Sequence, residues 1–159
     1  MRDVVRETRS GGGAQEPAPP STSTGEYLKL FRTLRDSSDE FKFPSIAEPL
    51  GLVYHEAHPQ IQATAFECLV QIAKKEIIAG RIGGPALHAA RLFLFRDHWA
   101  REPTPDAFRL LDGASMKEEL EAIVELARNA AFDPTRRKWL RESAFHDGQY
   151  ALELLELFR

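Results

Sequence analysis

Residues 59–79 carry apolar side chains around most of a helical circumference, and this fixes the centre of any fold the chain can adopt. Ile61, Ala65, Leu69, Ile72 and Ala73 fall on one stripe at helical spacing, while Phe66, Val70 and Ile77 form a second stripe beside it. A helix with one apolar face needs a neighbour on one side; two stripes need neighbours on two. The spacing therefore predicts a long helix in the middle of a stack. His58 suits its N-cap position and Pro59 its first turn, where a missing N–H costs least. Lys74 and Lys75 fall near the carboxyl end, where the helix dipole favours cations, and Gly80 stops the run.

The rest of the chain from residue 26 repeats the helical pattern. Ser23 and Glu26 have capping-box spacing ahead of Tyr27, Leu30, Phe31 and Leu34, and Ser45 with Glu48 does the same ahead of Leu50 and Val53. Gly83-Gly84-Pro85 marks a break and restart, followed by Leu87, Leu92, Phe93, Leu94, Phe95 and Trp99, an apolar run expected to be buried. A short helix after Thr104-Pro105 should stop at Asp112-Gly113, with Ser115 and Glu118 as a third capping box. Asp133-Pro134 is read as another helix start, carrying Trp139, Leu140 and Phe145. His146-Asp147-Gly148 reads as a break before a short end helix over 149–159. No segment has the alternation and turn chemistry of a strand pair. The expected class is all-α, with antiparallel helix pairs stacked as a short solenoid, or alternatively an irregular helical bundle.

The stretch 44–74, PSIAEPLGLVYHEAHPQIQATAFECLVQIAK, resembles a HEAT repeat. Pro49 and Leu50 match the first helix of that family's unit, and Ile61, Ala65, Leu69, Ile72 and Ala73 match the second. His58 and Gln62 stand where the family usually has an Asp and a basic residue. Residues 85–112 and 115–145 each parse as a helix pair of similar length with less of the side-chain pattern. The resemblance implies one good unit and two degenerate ones, and such arrays present helix faces to partner proteins.

Residues 10–25, SGGGAQEPAPPSTSTG, have no large apolar side chain, so burial cannot offset the entropy of ordering them. Residues 1–25 are accordingly read as a flexible N-terminal arm and residues 26–159 as one helical domain. A formal net charge of -3 is far from the strongly basic balance of a dedicated nucleic-acid binder. No apolar run reaches the ~18–20 residues of a membrane span, and the N-terminal residues lack a signal-peptide core, which makes the cytoplasm the expected compartment, with nucleus or virion as alternatives. One cysteine, Cys68, allows no internal disulfide and reads as a small buried hydrophobe.

The polar constellations point to no specific chemistry. His55 and His58 flank Glu56 at i, i+3, whereas zinc proteases need i, i+4 on one helix face. Asp97-His98 and His146-Asp147 are sequence neighbours, which do not face each other on a helix, and no nucleophile stands in a motif beside them. The expectation is a non-enzymatic protein without metal or cofactor. Two surfaces are candidates for contact with other molecules. Tyr150, Leu154, Leu157 and Phe158 would give the end helix an apolar face for a protein partner or for self-association. Arg136, Arg137, Lys138 and Arg141 around Trp139 could instead grip phosphates and stack a base, as in a nucleic-acid-associated or viral lattice protein with an extended arm. Trp139 itself is expected beside the core.

Overall fold

α3 (Pro59–Ile78) is the helix on which the others are laid. The computed structural model describes residues 22–96 and 99–159, and the regular elements among them are all helical. They are α1 (Thr22–Asp36), α2 (Ala47–His55), α3, α4 (Gly84–Phe95), α5 (Pro105–Phe108), α6 (Gly113–Ala131) and α7 (Lys138–Leu155), with 3₁₀ turns at Phe43–Ile46 and Glu156–Phe158. Both apolar stripes of α3 are buried, against α1, α4, α5 and α6. α1 takes in residues 22–25, assigned to the arm on sequence grounds; residues 1–21 of that arm, and the pair Asp97-His98, lie outside the described residues.

The connection from α3 to α4 is short enough to force antiparallel neighbours, and Gly80 makes the turn at φ 84°, the left-handed region that suits glycine. At the far end of the pair, buried Gln62 donates from Nε2 to the carbonyl of Phe93 at 2.9 Å and to Thr104 Oγ1 at 3.1 Å. α6 and α7 form a second antiparallel pair, with Gly148 close against Ala127. α6 lies on α3 and α7 on α4, so the core sits between two layers of paired helices. The principal partner of α3 is thus α4, while α2 makes a smaller contact with each of them.

Several local expectations are corrected by tertiary contacts. Ser45 does not cap α2: its hydroxyl donates to the Lys42 carbonyl at 2.6 Å, and a 3₁₀ turn leads into the helix. α6 is capped by Asp112, whose Oδ1 accepts the Ser115 N–H at 3.1 Å, so Ser115 is a capped residue and not the cap. Asp133 starts a turn, accepting the Thr135 N–H at 2.9 Å and its hydroxyl at 2.6 Å, and the helix begins at Lys138. Lys75 serves α1 rather than its own helix end. Its ammonium donates to the carbonyls of Leu34 and Arg35 at 3.0 Å each, and to that of Ser37. Carbonyls at a helix carboxyl end lack intrahelical partners, and a cation there also meets the negative end of the dipole.

Next to it, buried Glu76 holds the segment between α1 and α2. Arg81 forks onto its carboxylate at 2.5 and 3.1 Å, and the Phe41 N–H donates to the same group at 3.2 Å.

Candidate functional site

α7 runs unbroken through His146-Asp147-Gly148, and this decides which side chains face outward. A carboxylate and a glycine would weaken a lone helix here, but tertiary packing more than compensates. Asp147 is buried and its Oδ2 accepts the backbone N–H of Gly83 at 2.8 Å, capping the start of α4 from another helix. Burial pushes the Asp147 carboxyl above its ordinary value, opposed by the N–H groups of Gly83 and Gly84 and by the nearby His146. Gly148 faces Ala127 of α6, where a Cβ would lie 3.4 Å from that of Ala127, an ordinary contact distance.

The inward side of α7 therefore contains the residues expected to bind a partner. Leu154 is fully packed in the core, and Tyr150, Leu157 and Phe158 are half-buried against it. The Phe158 ring stacks on Phe108 with centroids 5.4 Å apart and lies 6.2 Å from Phe66. Tyr150 reaches α4, its Oη 2.6 Å from His88 Nδ1, and burial raises its pKa above the usual tyrosine value. Leu154 thus belongs to the core, while the half-buried Tyr150 also borders a depression beside Arg91 and Trp99, and Leu157 and Phe158 line a hollow with Phe108 and Leu111.

The basic cluster is also divided. Arg136 pairs with Asp133 at 3.4 Å, and Arg141 donates from Nε to the Arg136 carbonyl at 3.2 Å, so both are tied into the turn before α7. Arg137 and Lys138 are exposed. Trp139 is 56% exposed and Trp99, past the end of α4, is 83% exposed, so neither indole belongs to the core as expected. α4 ends at Phe95 because Arg96 turns into the left-handed region at φ 59°. Cys68 is buried as expected, and burial raises its thiol pKa, which disfavours the reactive thiolate.

The outer seam of the α6–α7 pair is open as well. Val124, Ala127 and Ala131 of α6 face Ala144, Gly148 and Leu152 of α7 across a groove of about 140 Å³. Phe132, 77% exposed, and Phe145, 53% exposed, stand over it with Leu152. Small side chains along the floor keep the groove open, and large apolar ones at its edge remain in water. The signal was present in the sequence as a second stripe on α7, Phe145, Gly148, Gln149 and Leu152, at helical spacing. Reading a break at 146–148 cut that stripe in two.

Arg128 and Gln149 add polar groups to the lining. A wider, open depression of about 700 Å³ lies on another side of α7, between Arg91, Trp99, Arg101 and Glu153. No group of three His, Cys, Asp or Glu side chains among the described residues is placed to hold a metal ion, and no described helix is long and apolar enough to cross a membrane. Comparisons with protein-family models, with curated proteins and with solved structures found no match to this chain.

Proposed function

We propose that this chain is a non-enzymatic helical scaffold that binds protein, and that it does so through the outer face of α6 and α7. The reading is carried by the groove between those helices, with a floor of alanine and glycine and with Phe132, Phe145 and Leu152 exposed above it. Contiguous exposed aromatic and aliphatic groups around a concave seam are the surface that helix-binding proteins offer to a partner. The HEAT-like spacing over 44–74 agrees with this job, since helix-pair arrays act by presenting faces.

The test is retention of partners from the source lysate on the immobilised full chain, compared with Phe145→Glu. Wild type should retain a protein component that the variant loses, while both give the same helical circular dichroism. Identical retained sets would remove the groove from the reading.

A second reading has a narrower basis: exposed Arg137 and Lys138 beside exposed Trp139. That grouping suits a single-stranded nucleic acid, with phosphates on the cations and a base on the indole. Replacing Arg137 and Lys138 with Gln should then weaken binding to a single-stranded oligonucleotide and flatten its salt dependence. Absence of binding by wild type at low salt would end it.

A further inference from the structure

We infer that the occupant of the α6–α7 groove is a second copy of this chain, docked antiparallel about a twofold axis that crosses α7 between Gly148 and Gln149. The inference rests on the reading of this seam as a protein-binding face and names the partner.

A twofold contact is made by one surface patch on both copies, so the patch must match itself when reversed. The outward stripe of α7 does. It runs Arg141, Phe145, Gly148 with Gln149, and Leu152 at successive helical repeats, and continues to Glu156 at the start of the 3₁₀ turn that follows α7. Phe145 and Leu152 stand equally far from the midpoint, and so do Arg141 and Glu156, which lie about 22 Å apart along the axis. Reversal therefore lays Phe145 on Leu152 of the partner subunit and Arg141 opposite Glu156 of the partner subunit.

α6 follows the same centre. Gly148 packs against Ala127, so the midpoint on α6 falls between Leu126 and Ala127. Glu125 and Arg128 are equidistant from it. They lie 3.8 Å apart within one chain, both exposed, so reversal pairs Arg128 with Glu125 of the partner subunit and makes a four-charge cluster. The existing local contacts of the outer pair, Glu156 with Arg159 and Arg141 with the Arg136 carbonyl, leave the outer charges at the two ends of the seam.

Charge complementarity favours this occupant: Arg141 and Arg128 each have a carboxylate at equal distance on the far side of the midpoint, and the like charges that reversal sets against each other, Lys138 and Arg159, lie at the outermost ends of the stripe. The small side chains Ala127, Ala131, Ala144 and Gly148 leave a groove of about 140 Å³ beside the contact of Phe145 with Leu152 of the partner subunit.

Sedimentation equilibrium of the purified full chain tests this. The mass should rise with concentration toward twice 17.9 kDa. Phe145→Glu, or independently Leu152→Lys, should raise the dimer dissociation constant at least about thirtyfold with unchanged circular dichroism. Arg141→Glu and Glu156→Arg should each weaken the dimer, and the two together should restore it, because the swapped charges again face opposite ones. A wild type that stays monomeric, or a dimer indifferent to Phe145→Glu and Leu152→Lys, overturns the proposal; a double variant no tighter than either single one overturns the antiparallel register. If the purified chain is monomeric while Phe145→Glu still removes a protein from the lysate fraction, the groove binds another protein and only this inference falls. If Phe145→Glu changes neither, both fall.

Discussion

Asp147 caps a helix that is not its own: its Oδ2 accepts the backbone N–H of Gly83, 2.8 Å away, at the start of α4. Gly83 is itself buried, so no water replaces this acceptor. Asp147→Ala should cost about 1–3 kcal/mol, the penalty for orphaning buried donors, and Asp147→Asn, which keeps one acceptor, about 1 kcal/mol. The carboxyl also sets a pH dependence. Burial raises its folded pKa above the ordinary 3.8, so the folded chain holds this proton to higher pH than the unfolded chain does. Unfolding releases it within that window, and this group's contribution to stability falls as pH rises from 3.8 through the raised value. Urea unfolding at several pH values should show the decline in wild type and lose that component in Asp147→Asn. An identical pH profile in both would refute the assignment.

Lys75 joins the two ends of helices that are distant in sequence, and its removal should act on α1 rather than on α3. Lys75→Met keeps the aliphatic stem and deletes the donors to the Leu34, Arg35 and Ser37 carbonyls. We expect a loss of about 1–2 kcal/mol. Hydrogen exchange should speed up at the amides of α1 while the centre of α3 keeps its protection. Uniform acceleration through both helices would mean that the contact supports the whole core instead.

Leu69 lies at the middle of α3 with no exposed surface. Truncation to alanine leaves a cavity between two layers, which neighbours already in contact cannot close. Leu69→Ala should therefore cost about 2–5 kcal/mol in chemical denaturation. A loss under ~1 kcal/mol, the size seen at surface sites, would say that α3 has an open side.

α3 was the most legible element because its signal is local and redundant: two complete apolar stripes leave a helix no surface position. Termini and connections were less so, and for one physical reason. Asp112 against Ser115, Ser45 and Asp133 all offer a side-chain oxygen to a nearby N–H, and sequence spacing alone does not say which residue accepts. Asp147 and Gly148 misled more seriously. Each lowers helix propensity in isolation, and the compensation comes from the Gly83 N–H that Asp147 accepts and from the packing of α7 on α6, both far away in the chain. The candidate groove was lost with them, since its α7 wall spans that very stretch. Trp99 and Trp139 show the converse error, in which size and apolarity suggested burial for side chains that remain exposed.

The tryptophans give an inexpensive check on that exposure. Two indoles, both mostly in water, should emit as solvated tryptophan and be quenched readily by acrylamide in the native protein. Unfolding should then move the emission maximum only slightly. A large red shift on unfolding would place one indole in the core.

Deletion of residues 149–159 separates the inward and outward readings of the last helix. Were Tyr150, Leu154, Leu157 and Phe158 a docking face, the truncated chain would keep its helices and lose its partner. The structure instead puts Leu154 and Leu155 in the core, stacks Phe158 on Phe108 and joins Tyr150 to His88. Burial of two leucines alone is worth about 3–6 kcal/mol, comparable with the whole stability of a domain this size. The truncated chain should lose most of its helical circular dichroism, whereas Phe145→Glu should leave it intact. A truncated protein that melts cooperatively with nearly full ellipticity would return those four residues to the surface.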